Sequence, residues 1–170
     1  MKRIGVISDT HGYFDPKITK YFESCDEIWH AGDIGSLDVM DELKNIAMVR
    51  GVYGNIDNAK IRSEYPKNIR FNCENFDVWI THIGGKPYVY NKETRPVMLT
   101  NPPDIFVCGH SHILLVQHDK RAKCLCINPG AAGIKGFHKV KTLVRFTLNN
   151  GKISEMEVVE LGPRSLPQPV

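Results

Sequence analysis

Apolar and polar positions along the chain fall into short blocks, and the block lengths change between its first third and the rest. Ile4-Gly5-Val6-Ile7 is a brief, β-branched run closed by a polar turn, the pattern of a buried strand. Asp15-Pro16 sets a capping carboxylate before a proline, and Ile18, Tyr21 and Phe22 follow on one helical face, which predicts a helix over about residues 15–24. Glu27 to Ala31 reads as a second strand. Ser36 then caps a helix carrying Val39, Met40 and Leu43, and Ile46 to Val49 is a third strand. Three strand–helix alternations in succession predict a largely parallel, α/β beginning.

Beyond residue 60 the pattern becomes β-rich. Ile69 to Cys73 and Phe76 to Thr81 flank Glu74-Asn75 as a hairpin. Residues 86–103 carry Pro87, Pro96, Pro102 and Pro103 and predict a long loop with one short helix near 92–100. Asp104 to Cys108 is a strand, and Ile113 to Val116 and Leu125 to Ile127 are strands about the Lys120-Arg121-Ala122-Lys123 turn. Leu143 to Leu148 and Ile153 to Val159 form a hairpin about Asn149-Asn150-Gly151. The expected organisation is one domain over 1–162 and a frayed, proline-rich tail over 163–170, with fraying from Gly162.

Composition narrows the class only modestly. At 170 residues, 42% hydrophobic and 24% charged, the chain can bury a real core. The net charge of +3 and the lack of any long basic run argue against stable nucleic-acid binding. No apolar stretch reaches the roughly 18 residues of a membrane span, and Met1-Lys2-Arg3 leads into a strand rather than a cleavable leader, so a cytoplasmic protein is expected. Five scattered cysteines, Cys124-Leu125-Cys126 among them, suit buried free thiols better than disulfides or zinc.

The informative feature is what stands at the ends of the apolar runs. Asp9 and His11, Asp33, Asn55, His82, and His110 and His112 each follow such a run and lie beside or near a glycine. Asp-x-His alone is more often a pair of polar loop residues. Its repetition at one strand end after another is what that reading leaves unexplained. Imidazole, carboxylate and amide oxygen together suit borderline divalent ions: Mn²⁺, Fe²⁺, Zn²⁺, Ni²⁺ or Co²⁺. Seven ligands exceed one tetrahedral ion and suffice for two if a carboxylate is shared.

In order, Asp9-x-His11, Gly32-Asp33, Gly54-Asn55-x-Asp57, His82 and Gly109-His110-x-His112 resemble the five motifs of the calcineurin-like metallophosphoesterases. Thr81-His82 and Ile127-Asn128-Pro129-Gly130 resemble the small bacterial and archaeal phosphodiesterase branch, whose fold the metal-free retromer subunit of eukaryotes shares. The resemblance implies an α/β (α+β) fold: a four-layer α-β-β-α sandwich of two mixed sheets flanked by helices. It implies two divalent ions, Mn²⁺ foremost, one on Asp9, His11, Asp33 and His112, the other on Asp33, Asn55, His82 and His110. It implies a phosphodiesterase with a metal-bridging hydroxide as nucleophile, catalytic positions Asp33, Asp57 and His110, and a small-molecule or nucleotide-like phosphodiester as substrate. The competing implication is a scaffold of the retromer-subunit type with a vestigial pocket.

One departure stands out. Many family members carry histidine between the Asn and the acid of the third block, where it is assigned to leaving-group protonation; here that position is Ile56. Asp57 then reads either as a group orienting a ligand or as a plain loop acid. His30 reads as a packed core residue and His118 as a surface one. His138, with Lys135, reads as a phosphate contact or as a solvated basic turn. Tyr88 and Tyr90 suit a homodimer interface or a lid. A nucleotide-binding module would need Gly-x-Gly-x-x-Gly after the first strand, where Asp9-Thr10-His11-Gly12 stands instead.

Overall fold

The computed structural model of the protein describes residues 1–165. In chain order the elements are β1 (Lys2–Ile7), α1 (Lys17–Phe22), β2 (Glu27–His30), α2 (Leu37–Lys44), β3 (Met48–Gly51), α3 (Ala59–Glu64), β4 (Asn68–Cys73) and β5 (Phe76–Thr81). There follow β6 (Gly85–Lys86), β7 (Val89–Tyr90), α4 (Arg95–Thr100), β8 (Ile105–Val107), β9 (Leu115–Asp119), β10 (Cys124–Asn128), β11 (Val140–Asn149) and β12 (Lys152–Pro163). Two five-stranded mixed sheets result, ordered β12-β11-β1-β2-β3 and β4-β5-β8-β10-β9. β1, β2 and β3 run parallel in the first sheet, and β5, β8 and β10 in the second; antiparallel strands form both edges of the second sheet but one side of the first, whose other edge is the parallel β3.

Strand alternation decides what lies in each layer. Ile4 and Val6 of β1, Trp29 of β2, Val78 and Ile80 of β5, Ile105 and Val107 of β8, and Val144 and Phe146 of β11 form one buried cluster between the sheets. The opposite faces are covered separately. Ile7 and Ile28 pack with Ile18 and Phe22 of α1, Met40 and Leu43 of α2, and Ile61 of α3. Trp79 and Phe106 of the second sheet pack with Met98 of α4 and with Cys108, Cys124 and Cys126. This is the α-β-β-α sandwich. Gly5 belongs to the same packing, since a Cβ there would lie 2.5 Å from the Phe22 ring.

Several elements differ from expectation for identifiable reasons. α1 is shorter at both ends: Pro16 takes the capping position, and Asp15 bonds the Lys17 N–H while its other oxygen meets Lys141 Nζ at 2.5 Å. β3 starts two residues late because Ile46 and Ala47 finish the turn that ends α2, their N–H groups bonding Leu43 O. α3 was not expected; its Asn58 cap accepts the Ile61 N–H at 3.0 Å, and Ile61 is its one buried side chain. The short β6–β7 pair is also new. β9 begins at Leu115, leaving Ile113 and Leu114 exposed. Tyr90 is half-buried and donates its hydroxyl to Asp119 at 2.6 Å, whereas Tyr88 stays exposed with Arg121 over its ring. β12 continues through Gly162 and Pro163, and the Arg164 N–H reaches Lys139 O; the rest of the expected tail, 166–170, lies outside the described residues. All five cysteines are free and buried, and among the described residues no helix is long and apolar enough to cross a membrane.

Candidate metal centre

Asp9, His11, Asp33, Asn55, His82, His110 and His112 stand on loops at the carboxyl ends of β1, β2, β3, β5 and β8, where parallel sheets leave room for a site. The first four follow strands of one sheet and the three later histidines follow strands of the other. The structure brings all seven together, in two groups.

In the first group Asp9 Oδ1 lies 3.1 Å from His112 Nε2 and 3.8 Å from His11 Nε2, and Asp33 Oδ2 is 3.5 Å from His11 Nε2. In the second, His82 Nε2 is 3.2 Å from Asp33 Oδ1 and 3.1 Å from Asn55 Oδ1, and His110 Nδ1 is 3.0 Å from Asn55 Oδ1. The two carboxylate oxygens of Asp33 therefore face different groups.

The backbone aims these side chains by an unusual route. Asp9, His11, Asp33, His110 and His112 all have positive φ, between 46° and 68°. Left-handed backbone costs a non-glycine residue on the order of 1–2 kcal/mol, and five such residues around one pocket concentrate that strain at the ligands. Close approach adds a second constraint. A Cβ on Gly54 would lie 2.0 Å from Asp33 Oδ1, and one on Gly109 would lie 2.1 Å from Ser8 Oγ and 2.6 Å from Asp9 Oδ2.

Hydrogen bonds leave particular atoms free. Ser8 Oγ and the His110 N–H both donate to Asp9 Oδ2, which leaves Oδ1 to the group. His82 Nδ1 donates to Ala31 O at 2.8 Å, so its Nε2 lone pair faces the carboxylates. Burial would raise the Asp9 carboxyl pKa, but the His11 and His112 imidazoles beside it hold it well below the usual range. Asp33 is also lowered: burial opposes, and His82 outweighs it. His82 is raised for the reciprocal reason, with Asp33 and Asp9 overcoming desolvation.

Divalent ions fit this arrangement. Asp9 Oδ1 and His11 Nε2 are buried and have no hydrogen-bond partner among the described residues, a costly state for a carboxylate and an imidazole unless something else binds them. The donor atoms of Asp9, His11 and His112, and those of Asp33, His82 and His110, lie within 4.8 Å of one another. Ligands about 2.1 Å from one ion sit about 3–3.5 Å apart, so small inward movements complete either set.

The remaining expected residues take other places. Asp57 is buried and accepts three backbone N–H bonds, from Ile34 at 3.0 Å and from Gly35 and Gly54 at 2.8 Å, tying the Asp33 loop to the Asn55 loop. Ile56 contributes its N–H to Asp33 Oδ1 at 3.1 Å while its side chain is exposed. His30 is buried; Nδ1 accepts from the Gly32 N–H and Nε2 donates to Thr10 Oγ1, which donates on to Ile34 O. Burial pushes its pKa down to about 4. His138 donates Nε2–H to Gly133 O and stands edge-on to His112, ring centroids 5.2 Å apart. His118 and Lys135 are exposed.

Three supporting residues were not foreseen in these roles. Ser8 fixes Asp9. Asn128 holds the histidine loop, its amide donating to Gly109 O at 2.9 Å and Ser111 Oγ at 3.0 Å. Arg62 bonds Asp57 O and Asn55 O. No spacing rule announces Ser8 or Arg62, and in the sequence Asn128 stands out solely as part of Ile127-Asn128-Pro129-Gly130.

Comparison with known proteins points the same way. Residues 1–151 match the family model of the calcineurin-like phosphoesterase superfamily domain. A protein of Methanothermobacter thermautotrophicus, named a probable metallophosphoesterase, is 31% identical over 133 residues, covering 75% of this chain and 76% of its own. Among solved structures, an archaeal phosphodiesterase superposes with a TM-score of 0.73 at 22% identity, over 93% of this chain and 99% of that one. A single mutant of Vps29 from Entamoeba histolytica superposes with the same TM-score, 0.73, at 17% identity, over 93% and 98%. At those identities the two structures speak for the fold alone.

Proposed function

The chain belongs to the calcineurin-like phosphoesterase superfamily, and from that premise we propose that it is a dinuclear metal-dependent phosphodiesterase acting on small-molecule phosphodiesters. The observation that carries the proposal is Asp33, whose Oδ1 and Oδ2 address separate groups, each with two histidines and one further oxygen ligand. One ion would be held by Asp9, His11, Asp33 and His112, the other by Asp33, Asn55, His82 and His110, with Mn²⁺ the expected occupant of this nitrogen–oxygen set. When bound, such ions supply Lewis acidity, lowering the pKa of water and countering charge on phosphoryl oxygens.

The chain's own residues then have definable tasks. Asp33 would supply the negative charge between the two ions, since its two oxygens face the two groups. Ser8 and the His110 N–H hold Asp9 so that one oxygen points into the site. The Ala31 carbonyl holds His82 in the tautomer with Nε2 free. Asp57 acts by position, locking two ligand-bearing loops in register. At Ile56 no side chain can give a proton to the departing oxygen, so substrates whose leaving group is already a stable anion are favoured. Diesters with aryl or similarly acidic leaving groups should exceed alkyl phosphomonoesters.

A scaffold that had lost catalysis would be expected to have lost ligands, and here the set is complete. The test is hydrolysis of a panel of phosphomonoesters and phosphodiesters by metal-stripped protein with each divalent ion added back. Metal-dependent turnover of aryl diesters is expected. A clear preference for alkyl monoesters, or no turnover with any ion, overturns the reading.

A further inference from the structure

Beside the second ligand group the surface opens into a cleft of about 490 Å³, with Asn55 and His82 in its lining. Its size is within the range of small-molecule pockets, about 300–1,000 Å³. It lies between the Asn55 loop, the start of β4 and the segment from Asn91 to Thr94. Trp79 and Tyr53 line it; the indole N–H donates to Asn68 Oδ1, and Tyr53 lies under the Arg62 guanidinium, 4.8 Å from ring to carbon. These contacts make the apolar part of the cleft stiff.

Charge distinguishes this cleft. Arg62, Lys67 and Lys92 line it, against the single carboxylate of Glu93. Lys67 and Glu93 pair with each other at 2.6 Å. Among the described residues Arg62 bonds two carbonyl oxygens and no carboxylate, which orients its guanidinium without cancelling its charge. Lys92 forms no ion pair among the described residues. Two positive charges thus remain next to the site. The cavity lined by Arg3 and Arg145 offers a contrast: it also contains Glu155 and Glu157, with Arg145 paired to Glu157 at 2.5 Å, and shows no such excess.

We propose that this cleft receives one ester arm of the substrate, and that the preferred arm carries an anionic group of its own, a carboxylate or a further phosphate, met by Arg62 and Lys92. This rests on the phosphodiesterase reading and refines it. The metal ligands treat any diester alike; the cleft selects among diesters by a charge lying beyond the reacting phosphorus. Arg62 suits the task because its bonds to Asn55 O and Asp57 O anchor the receptor to a ligand-bearing loop.

The experiment compares 4-nitrophenyl phenyl phosphate with 4-nitrophenyl 4-carboxyphenyl phosphate on Mn²⁺-loaded protein, following release of either phenol. We expect kcat/KM to favour the carboxylated diester roughly tenfold, mainly through KM. The ratio should shrink as salt rises towards about 1 M, where the Debye length is ~3 Å. Lys92→Gln and, separately, Arg62→Gln should bring the ratio to within about twofold of unity. The ratio is internal to each protein, so a general loss from disturbing the Asn55 loop in Arg62→Gln does not imitate the effect. If both diesters are hydrolysed equally well by the wild type, or the preference survives in both variants, the cleft assignment fails and the phosphodiesterase reading stands. If neither is hydrolysed, that reading fails, and the same compounds, now stable ligands, are titrated calorimetrically. Tighter binding of the carboxylated one, lost in Lys92→Gln, upholds the cleft, and equal binding overturns it.

Discussion

Asp33 and Asn55 lie in one ligand group, yet removing them should have different consequences. Asp33→Asn keeps the volume but removes the negative charge between the groups, and an amide nitrogen is a poor ligand where Oδ1 and Oδ2 are both engaged. A fall in kcat of at least ~10²-fold is expected, comparable to loss of a major electrostatic element. Asn55→Ala removes one neutral oxygen and should be rescued further by saturating Mn²⁺. Plateau rates in a Mn²⁺ titration decide it, and full recovery of Asp33→Asn would move the shared position to another carboxylate, Asp9 first. His30 makes a prediction of another kind. Its folded pKa of about 4 lies below the ordinary 6.5, so the unfolded chain takes up the proton first on acidification. Stability from this residue is therefore complete above about pH 6.5 and lost as pH falls towards about 4, by about 3 kcal/mol at 1.36 per unit. His82, raised in the metal-free protein, works in the opposite direction, but it is common to wild type and His30→Gln and cancels in the comparison. Urea unfolding of both metal-free proteins from pH 7 to 4.5 should show the steeper fall in wild type; parallel curves would mean His30 is not held neutral.

At the scale of elements, the loops matter more than the strands they join. Gly109 has ordinary φ, so Gly109→Ala adds no backbone strain and acts only through its Cβ, which would press on Ser8 Oγ and Asp9 Oδ2. The expected result is a roughly tenfold or greater loss of metal affinity, of the size seen when groups behind metal ligands are altered, measured by titration. Asp57→Ala should instead act on stability. It strands the buried N–H groups of Ile34 and Gly54, each costing about 1–3 kcal/mol when unpaired, while the N–H of the exposed Gly35 can turn to water, and a lower urea midpoint is the check. What the sequence made legible follows the same division. β1, β2, β5, β8 and the β11–β12 hairpin are short apolar runs bounded by turns, and the ligand-type residues at strand ends stand out because each follows such a run. α3, with one buried side chain, carries too little pattern to be seen, and β6–β7 is too short. The left-handed backbone at five ligand positions was not visible either: glycine advertises positive φ, whereas aspartate and histidine adopt it here under tertiary constraint. Nor could spacing separate Asp57 as clamp from Asp57 as catalyst, because that depends on which N–H groups its oxygens meet.

At the scale of the whole molecule, the site is a seam. Asp9, His11, Asp33 and Asn55 descend from the first sheet, His82, His110 and His112 from the second, and each ligand group takes members from both. Away from the site the sheets are held by the apolar cluster from Ile4 to Phe146, which needs no ion. At the site, the metal-free protein instead holds two carboxylates and several imidazoles close together on strained backbone. Ions that bind only this folded arrangement should stabilise the sandwich by mass action, about 2.7 kcal/mol per site at a hundredfold excess over Kd, or about 5 kcal/mol for two. For a chain of this size each kcal/mol moves Tm by about 2–4 °C, so Mn²⁺ should raise the melting temperature of chelator-treated protein on the order of 10 °C or more. His82→Ala combined with His112→Ala removes one second-sheet ligand from each group and should abolish most of that rise while leaving the inter-sheet cluster intact. Melting curves with and without Mn²⁺, paired with elemental analysis showing about two ions per chain, provide the check. A wild-type protein that neither binds ions nor shifts its Tm would leave the sandwich as a scaffold held by its apolar core alone.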